Sequence, residues 1–277
     1  MRSSTEFSYP RTSLKQHWPQ LHGGDREPYP TAAVVAKLAH GSEAVTTEVE
    51  RAGGAAAVAK ALEDAWRAFH HGDFGAAIRG GDALGALGAM VANKAAATHT
   101  LYLEKDPHKR LTMLRAAMDR GDTAVRQLPD HANAHYALAL VLGRYSQRIS
   151  ILEALAAGYG TKIRTHLERT LELEPKHAEA HIALGLYHAE LVKTLGSLAA
   201  RLTYGASGQA AIGHFRRAVR LEPRSVVARV EYAHGLALLD GEVHRREIDK
   251  LYVQALERAP IDRLEELDLE RMRRARA

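Results

Sequence analysis

Three stretches decide the fold: PDHANAHYALA at residues 129–139, PKHAEAHIALG at 175–185 and PRSVVARVEYA at 223–233. Aligned on Pro129, Pro175 and Pro223, they keep small and apolar residues in register, with Ala134, Ala180 and Ala228 at the same place in each. Upstream, TKIRTHLERTLELE at 161–174 matches QAAIGHFRRAVRLE at 209–222, and Tyr252, Ala255 and Leu256 repeat the theme before Pro260. The apolar residues recur at helical spacing, and each proline stands where one helix ends and the next begins. Each copy is therefore read as two helices, an internal repeat.

Composition agrees with this reading. Of 277 residues 46% are apolar and only 6% aromatic, and 49 are Ala, which suits helices packed close together and argues against a β-barrel. The absence of Cys excludes disulfides, thiolate catalysis and Cys-type zinc or iron-sulfur sites. The 38 basic and 33 acidic residues leave a net charge of +5, too diffuse for a nucleic-acid domain, so no nucleic acid is expected as a partner. No apolar h-region follows Arg2 and Arg11, and no run of 18 apolar residues occurs. The expectation is a cytoplasmic protein with no membrane insertion.

Residues 178–187 supply Ala178, Ala180, Leu184, Gly185 and Tyr187 for a first helix, and Ala211, Phe215, Ala218 and Pro223 follow for a second. In these residues the chain resembles the tetratricopeptide repeat family. The resemblance runs from Pro129 to Pro260 and more weakly over Ala55–Leu128, where Gly72, Asp73, Phe74 and Ala77 look like the family's turn and second-helix start. It implies an all-α solenoid of αα-hairpins in which Phe215, Leu167 and Leu184 fill the gaps left by small residues.

The proline spacings of 46, 48 and 37 residues exceed the usual period of about 34. Two repeats carry inserts between their helices, Arg144–Gly160 and Lys193–Gly208. Ile149, Ile151, Leu152 and Leu155 in the first, and Leu195, Leu198 and Leu202 in the second, predict extra helical turns with an apolar face. The expected organisation is a loosely ordered arm over 1–30, a helical region with a degenerate repeat over 31–128, and lengthened repeats with a C-terminal capping helix over 129–277.

Histidine recurs in register: His131 with His177, His135 with His181, His166 with His214. The i,i+4 pairs His131/His135 and His177/His181 have a spacing that suits a shared metal, with Glu179 and Glu190 as further ligands. No His-Glu-x-x-His signature accompanies them, so helix capping and repeat duplication are the plainer reading, and no metal or other cofactor is expected. Gly80, Gly81, Gly85 and Gly88 lie in a helical, Ala-rich context rather than after a strand, which rules out a dinucleotide fingerprint.

Tetratricopeptide domains that grip a terminal carboxylate carry Lys, Asn and Arg on the concave face of their first helices. At the corresponding positions this chain has Asn133, Tyr136 and Leu140, then Glu179, Ile182 and Leu186, mostly apolar. That set favours an apolar helix, peptide or small ligand, unless the residues simply pack against the inserts. Arg144, Tyr145, Arg148 and Tyr204 border the inserts and are candidates to line a groove. The expected function is a non-enzymatic scaffold or adaptor for another protein or peptide. The alternative is a carrier enclosing an apolar small ligand between repeats and inserts. Partner identity and oligomeric state are not written in the sequence.

Overall fold

The computed structural model describes residues 7–276. These residues form sixteen helices and no strand. Contacts divide the chain into two compact units, one holding residues up to His22 together with Glu27–Leu173, the other Gly23–Arg26 together with Glu174 onward. The boundary expected at 128/129 falls inside the first unit.

The first unit opens with α1 (Arg11–Leu21), α2 (Ala32–Ala39) and α3 (Glu43–Arg51). Within the segment expected as a loosely ordered arm, Arg11–Leu21 are helical, while residues 1–6 lie outside those described. Trp18, 4% exposed, stacks on His22 at 4.0 Å and meets Trp66 edge-on at 6.1 Å, and its indole Nε1 donates to the Glu27 carbonyl at 2.8 Å. Docking of aromatics on a distant helix leaves no periodicity in the docked segment, which is why the pattern reads as disorder.

Next come α4 (Ala55–His71), α5 (Phe74–Asp82) and α6 (Gly85–Tyr102). Asp73 caps α5, accepting from Ala76 N–H at 2.9 Å. α6 is buried around nearly its whole circumference, against α4, α5, α7 (Pro107–Gln127) and α8 (Ala132–Ser146). Such burial on every side requires small residues. A Cβ on Gly88 would stand 2.1 Å from the Gly81 carbonyl oxygen, and one on Gly81 would stand 2.6 Å from that of Gly88, so α5 and α6 meet backbone to backbone. Lys94 and Asn93 on α6 are partly satisfied: the Lys94 ammonium lies over the Phe69 ring, 5.9 Å from its centroid, and Asn93 Oδ1 accepts from Arg120 at 2.6 Å, while the Asn93 amide nitrogen is buried without a hydrogen-bond partner.

The first insert becomes α9 (Ile151–Ala156), followed by α10 (Tyr159–Leu173), which packs on α8 as its hairpin partner. In the second unit α11 (Ala178–Leu195), the insert helix α12 (Ser197–Tyr204) and α13 (Gly208–Leu221) repeat that plan, and α14 (Val226–Asp240) with α15 (Arg245–Leu256) repeats it without an insert. The last helix, α16 (Arg263–Arg276), packs on α14. α12 ends at Tyr204, with Gly205 in the left-handed region that favours glycine. Phe215, Ile182, Tyr232 and Leu236 centre the core of the second unit.

Both inserts are helical, as their apolar spacing predicts, yet while Ile149 packs on the core and Leu195 is half-buried, the large apolar side chains of α9 and α12 face solvent. Leu152 is 79% exposed, Leu198 73% and Leu202 77%. The six residues of α9 and eight of α12 are too short to turn an amphipathic stripe fully against one neighbour.

Candidate interaction site

The recurrent histidines have a single geometry. His135 in α8 places Nδ1 3.0 Å from Nδ1 of His166 in α10, and His181 in α11 places Nδ1 2.9 Å from Nδ1 of His214 in α13. His135 Nε2 lies 2.9 Å from the Pro129 carbonyl, which can only accept, so the proton is on Nε2 and His166 donates to Nδ1. The counterpart in the third repeat is Arg229, whose guanidinium donates to the Pro223 carbonyl at 2.6 Å. The residue six places after each proline thus closes the turn that precedes its own helix. His177 does separate work as a cap, its Nδ1 accepting from Ala180 N–H at 3.0 Å.

The i,i+4 pairs are therefore divided between interhelical contacts and helix starts. No group of three or more His, Cys, Asp or Glu side chains able to hold a metal occurs among the described residues, His131, His135, His177 and His181 included.

Burial pushes the His181 imidazole down to about 4, helped by His214 and Arg217 and opposed by the bond to Pro175. Burial likewise holds His131 at about 4, with His135 adding to it. Unfolded histidine titrates near 6.5, so between about pH 6.5 and 4 the unfolded chain binds the more protons and stability falls as pH falls; above that window these groups contribute no slope. Because His181 is only half-buried, screening leaves about 1–2 kcal/mol of the full shift. We expect urea midpoints measured by circular dichroism to drop over this window, and His181→Gln to flatten part of the drop.

The first-helix positions singled out in the sequence do not form an open face. Asn133, Tyr136, Tyr145 and Ile182 are buried, at 3%, 5%, 3% and 6% exposure. Tyr145 turns inward, where Arg115 Nε donates to its hydroxyl at 3.1 Å and Tyr159 meets its ring edge-on. Arg148 donates to the Thr100 carbonyl at 3.2 Å, and Arg144 reaches only Gln147, at 3.5 Å. Leu140, Leu186, Glu179 and Tyr204 are half-buried, with Leu140 and Leu186 packed on the cores of their units. Tyr145 and Arg148 thus make contacts inside the first unit.

The chain's own N-terminal segment rests on two of these positions. In the first unit Asn133 donates to the Glu27 carboxylate at 2.5 Å. In the second, Glu179 N–H donates to the Gly24 carbonyl at 3.0 Å, Asp25 is fully buried, and a Cβ on Gly23 would stand 2.7 Å from the Glu222 carboxylate. Glu222 is raised by burial, by Glu179 and by Asp25, while Arg26 lowers it. Sequence reasoning missed Asp25, Arg26 and Glu222. The available signal was Phe7, Tyr9, Trp18 and Tyr29, more aromatics than a disordered arm carries.

The family model described as Regulator of microtubule dynamics protein 1-3 matches residues 89–236. Among solved structures, a thermophilic TPR protein in Thermus thermophilus matches with a TM-score of 0.56 and 18% identity, over 78% of this chain and 98% of that one. The MamA protein matches with a TM-score of 0.40 and 16% identity, over 72% and 90%. No curated protein matches the chain. The first structural likeness agrees with the tetratricopeptide reading of the repeats, and no helix among the described residues is long and apolar enough to cross a membrane.

Proposed function

We propose that this chain, which belongs to the Regulator of microtubule dynamics protein 1-3 family, is a non-enzymatic interaction scaffold in which the insert helix of each unit presents an apolar patch of its own to a partner. The observation that carries the reading is the exposure of Ile151, Leu152 and Leu155 on α9 and of Leu198 and Leu202 on α12. Scattered exposed leucines are ordinary, but five of the eight large exposed apolar side chains among the described residues stand on the two insert helices. The family description concerns regulation of microtubule dynamics, which suits a protein acting through partners. A cytoplasmic setting is part of the same proposal.

The carrier alternative gains no support from the inserts, whose leucines point outward. A cavity of about 370 Å³ lies elsewhere, in the first unit, lined by Val49, Leu84 and Leu87 but also by Glu48, Arg51 and Asp82.

Affinity capture from the native organism tests the scaffold reading, comparing wild type with Leu152→Asp and with Leu198→Asp/Leu202→Asp. We expect partner recovery to fall at least tenfold with melting temperature unchanged, because exposed sites contribute little to stability. Unchanged recovery, or a lipid-like mass retained in native mass spectrometry, overturns it.

A further inference from the structure

The cavity of about 370 Å³ in the first unit opens between the end of α3, the start of α4 and the turn from α5 into α6. Its buried wall is apolar, built from Val49, Val58 and Leu87. Two charged side chains of α3, Glu48 and Arg51, also line it, and among the described residues neither makes a hydrogen bond or an ion pair. They stand three places apart on one helix, a spacing at which opposite charges commonly meet, yet they do not pair with each other. The Glu48 carboxylate lies instead against Gly85, where a Cβ would come within 2.3 Å of Oε2, and that oxygen is buried without a donor. A third charge on the wall, Asp82, is already neutralised, since it accepts from Arg120 Nε at 2.6 Å. What the cavity offers is one carboxylate and one guanidinium without partners among the described residues, beside an aliphatic wall.

From this pattern we infer that the cavity is a binding site for a small zwitterion, a free α-amino acid with an aliphatic side chain. The ligand's ammonium donates to Glu48, its carboxylate accepts from Arg51, and its side chain lies on Val49, Val58 and Leu87. Each end completes a charge that the chain leaves open, and a buried oxygen without a donor is costly to leave so. The volume agrees, standing at the small end of the range of ligand pockets, about 300–1,000 Å³. A purely apolar ligand would cover Glu48 and Arg51 without pairing either, which counts against it. A lone amine leaves Arg51 unmatched, and a lone acid leaves Glu48 so. This site goes beyond the scaffold reading and does not rest on it.

Isothermal titration calorimetry of the full chain tests the site, with L-leucine as the probe. We expect leucine to bind with a Kd of about 1 mM or tighter. Isoamylamine and isocaproate, which each keep the aliphatic body and one of the two charged groups, should bind at least tenfold more weakly. Glu48→Gln and Arg51→Gln should each weaken leucine binding at least tenfold, the loss that follows when one partner of a charge-assisted hydrogen bond is removed. Ala52→Trp, at an exposed position on the rim, should block entry and abolish binding. No binding of leucine to wild type up to about 10 mM overturns the proposal. So does equal binding of leucine, the amine and the acid, and so do variants that bind leucine as wild type does. Should a variant fail to fold, the three ligands compared on wild type decide.

Discussion

Replacing Gly88 by alanine should destabilise the protein by about 3–4 kcal/mol, although alanine is the better helix former. Propensity alone favours the substitution by about 1 kcal/mol. Against it, the new Cβ would lie 2.1 Å from the Gly81 carbonyl oxygen and 2.7 Å from the Gly81 Cα and carbonyl carbon. Those atoms are backbone and cannot swing aside as a side chain would, so α5 and α6 must separate along their shared face. The gap would also expose Ala77 and Ala92, both fully buried. Gly213→Ala is the control: it lies on the exposed side of α13 with nothing within 4 Å of its added Cβ, and it should stabilise by about 0.5–1 kcal/mol. Thermal unfolding followed by circular dichroism separates the two signs. A neutral Gly88→Ala would show that the helices are not in backbone contact.

The second large effect is expected at Phe215. Its ring is fully buried in the second unit, stacks on Tyr232 at 5.2 Å and fills the space between two glycines. A Cβ on Gly235 would meet it at 2.3 Å and one on Gly185 at 2.7 Å. Phe215→Ala removes the ring without offering these glycines any side chain to collapse into the void, which places the cost at the upper end of the range for such changes, about 4–5 kcal/mol. Phe215→Leu keeps part of the volume and should cost about half as much. Urea unfolding gives both values, and a loss below about 2 kcal/mol for Phe215→Ala would mean that Tyr232 swings in to refill the space.

What was legible in the sequence was what repeats locally. Pro129, Pro175 and Pro223 mark helix starts because proline acts on its own backbone, and Gly185 and Phe215 were readable as gap and filler because helix packing obeys size. The lengths of the inserts were equally plain. Their exposure was not, since apolar spacing gives a stripe without saying whether anything lies beneath it. Recurrence of His135 with His181 and of His166 with His214 could be seen, but that these form one contact made twice depends on which helices pair. The burial of some candidate binding positions was not legible for a related reason. Tyr136, Tyr145 and Ile182 are buried, and Tyr145 and Ile182 pack into the cores of their own units, which residue type and spacing alone do not reveal. The contacts of Asn133 and Glu179 with residues 24–27 join positions over a hundred residues apart, beyond the reach of any periodicity.

The burial of α6 on all sides has a consequence for how the chain reaches its native state. Its 18 residues contain Lys94 as their sole charged side chain apart from any proton on His99, so the helix has no face that water welcomes. Emerging from the ribosome ahead of α7 and α8, it must wait for about 40 further residues before its cover exists. During that interval it is the segment most prone to self-association and the natural target of a chaperone. Refolding yield should accordingly fall with protein concentration for reasons unrelated to native stability, and the soft spot in the production of this protein lies in a part of the chain that the finished molecule never shows.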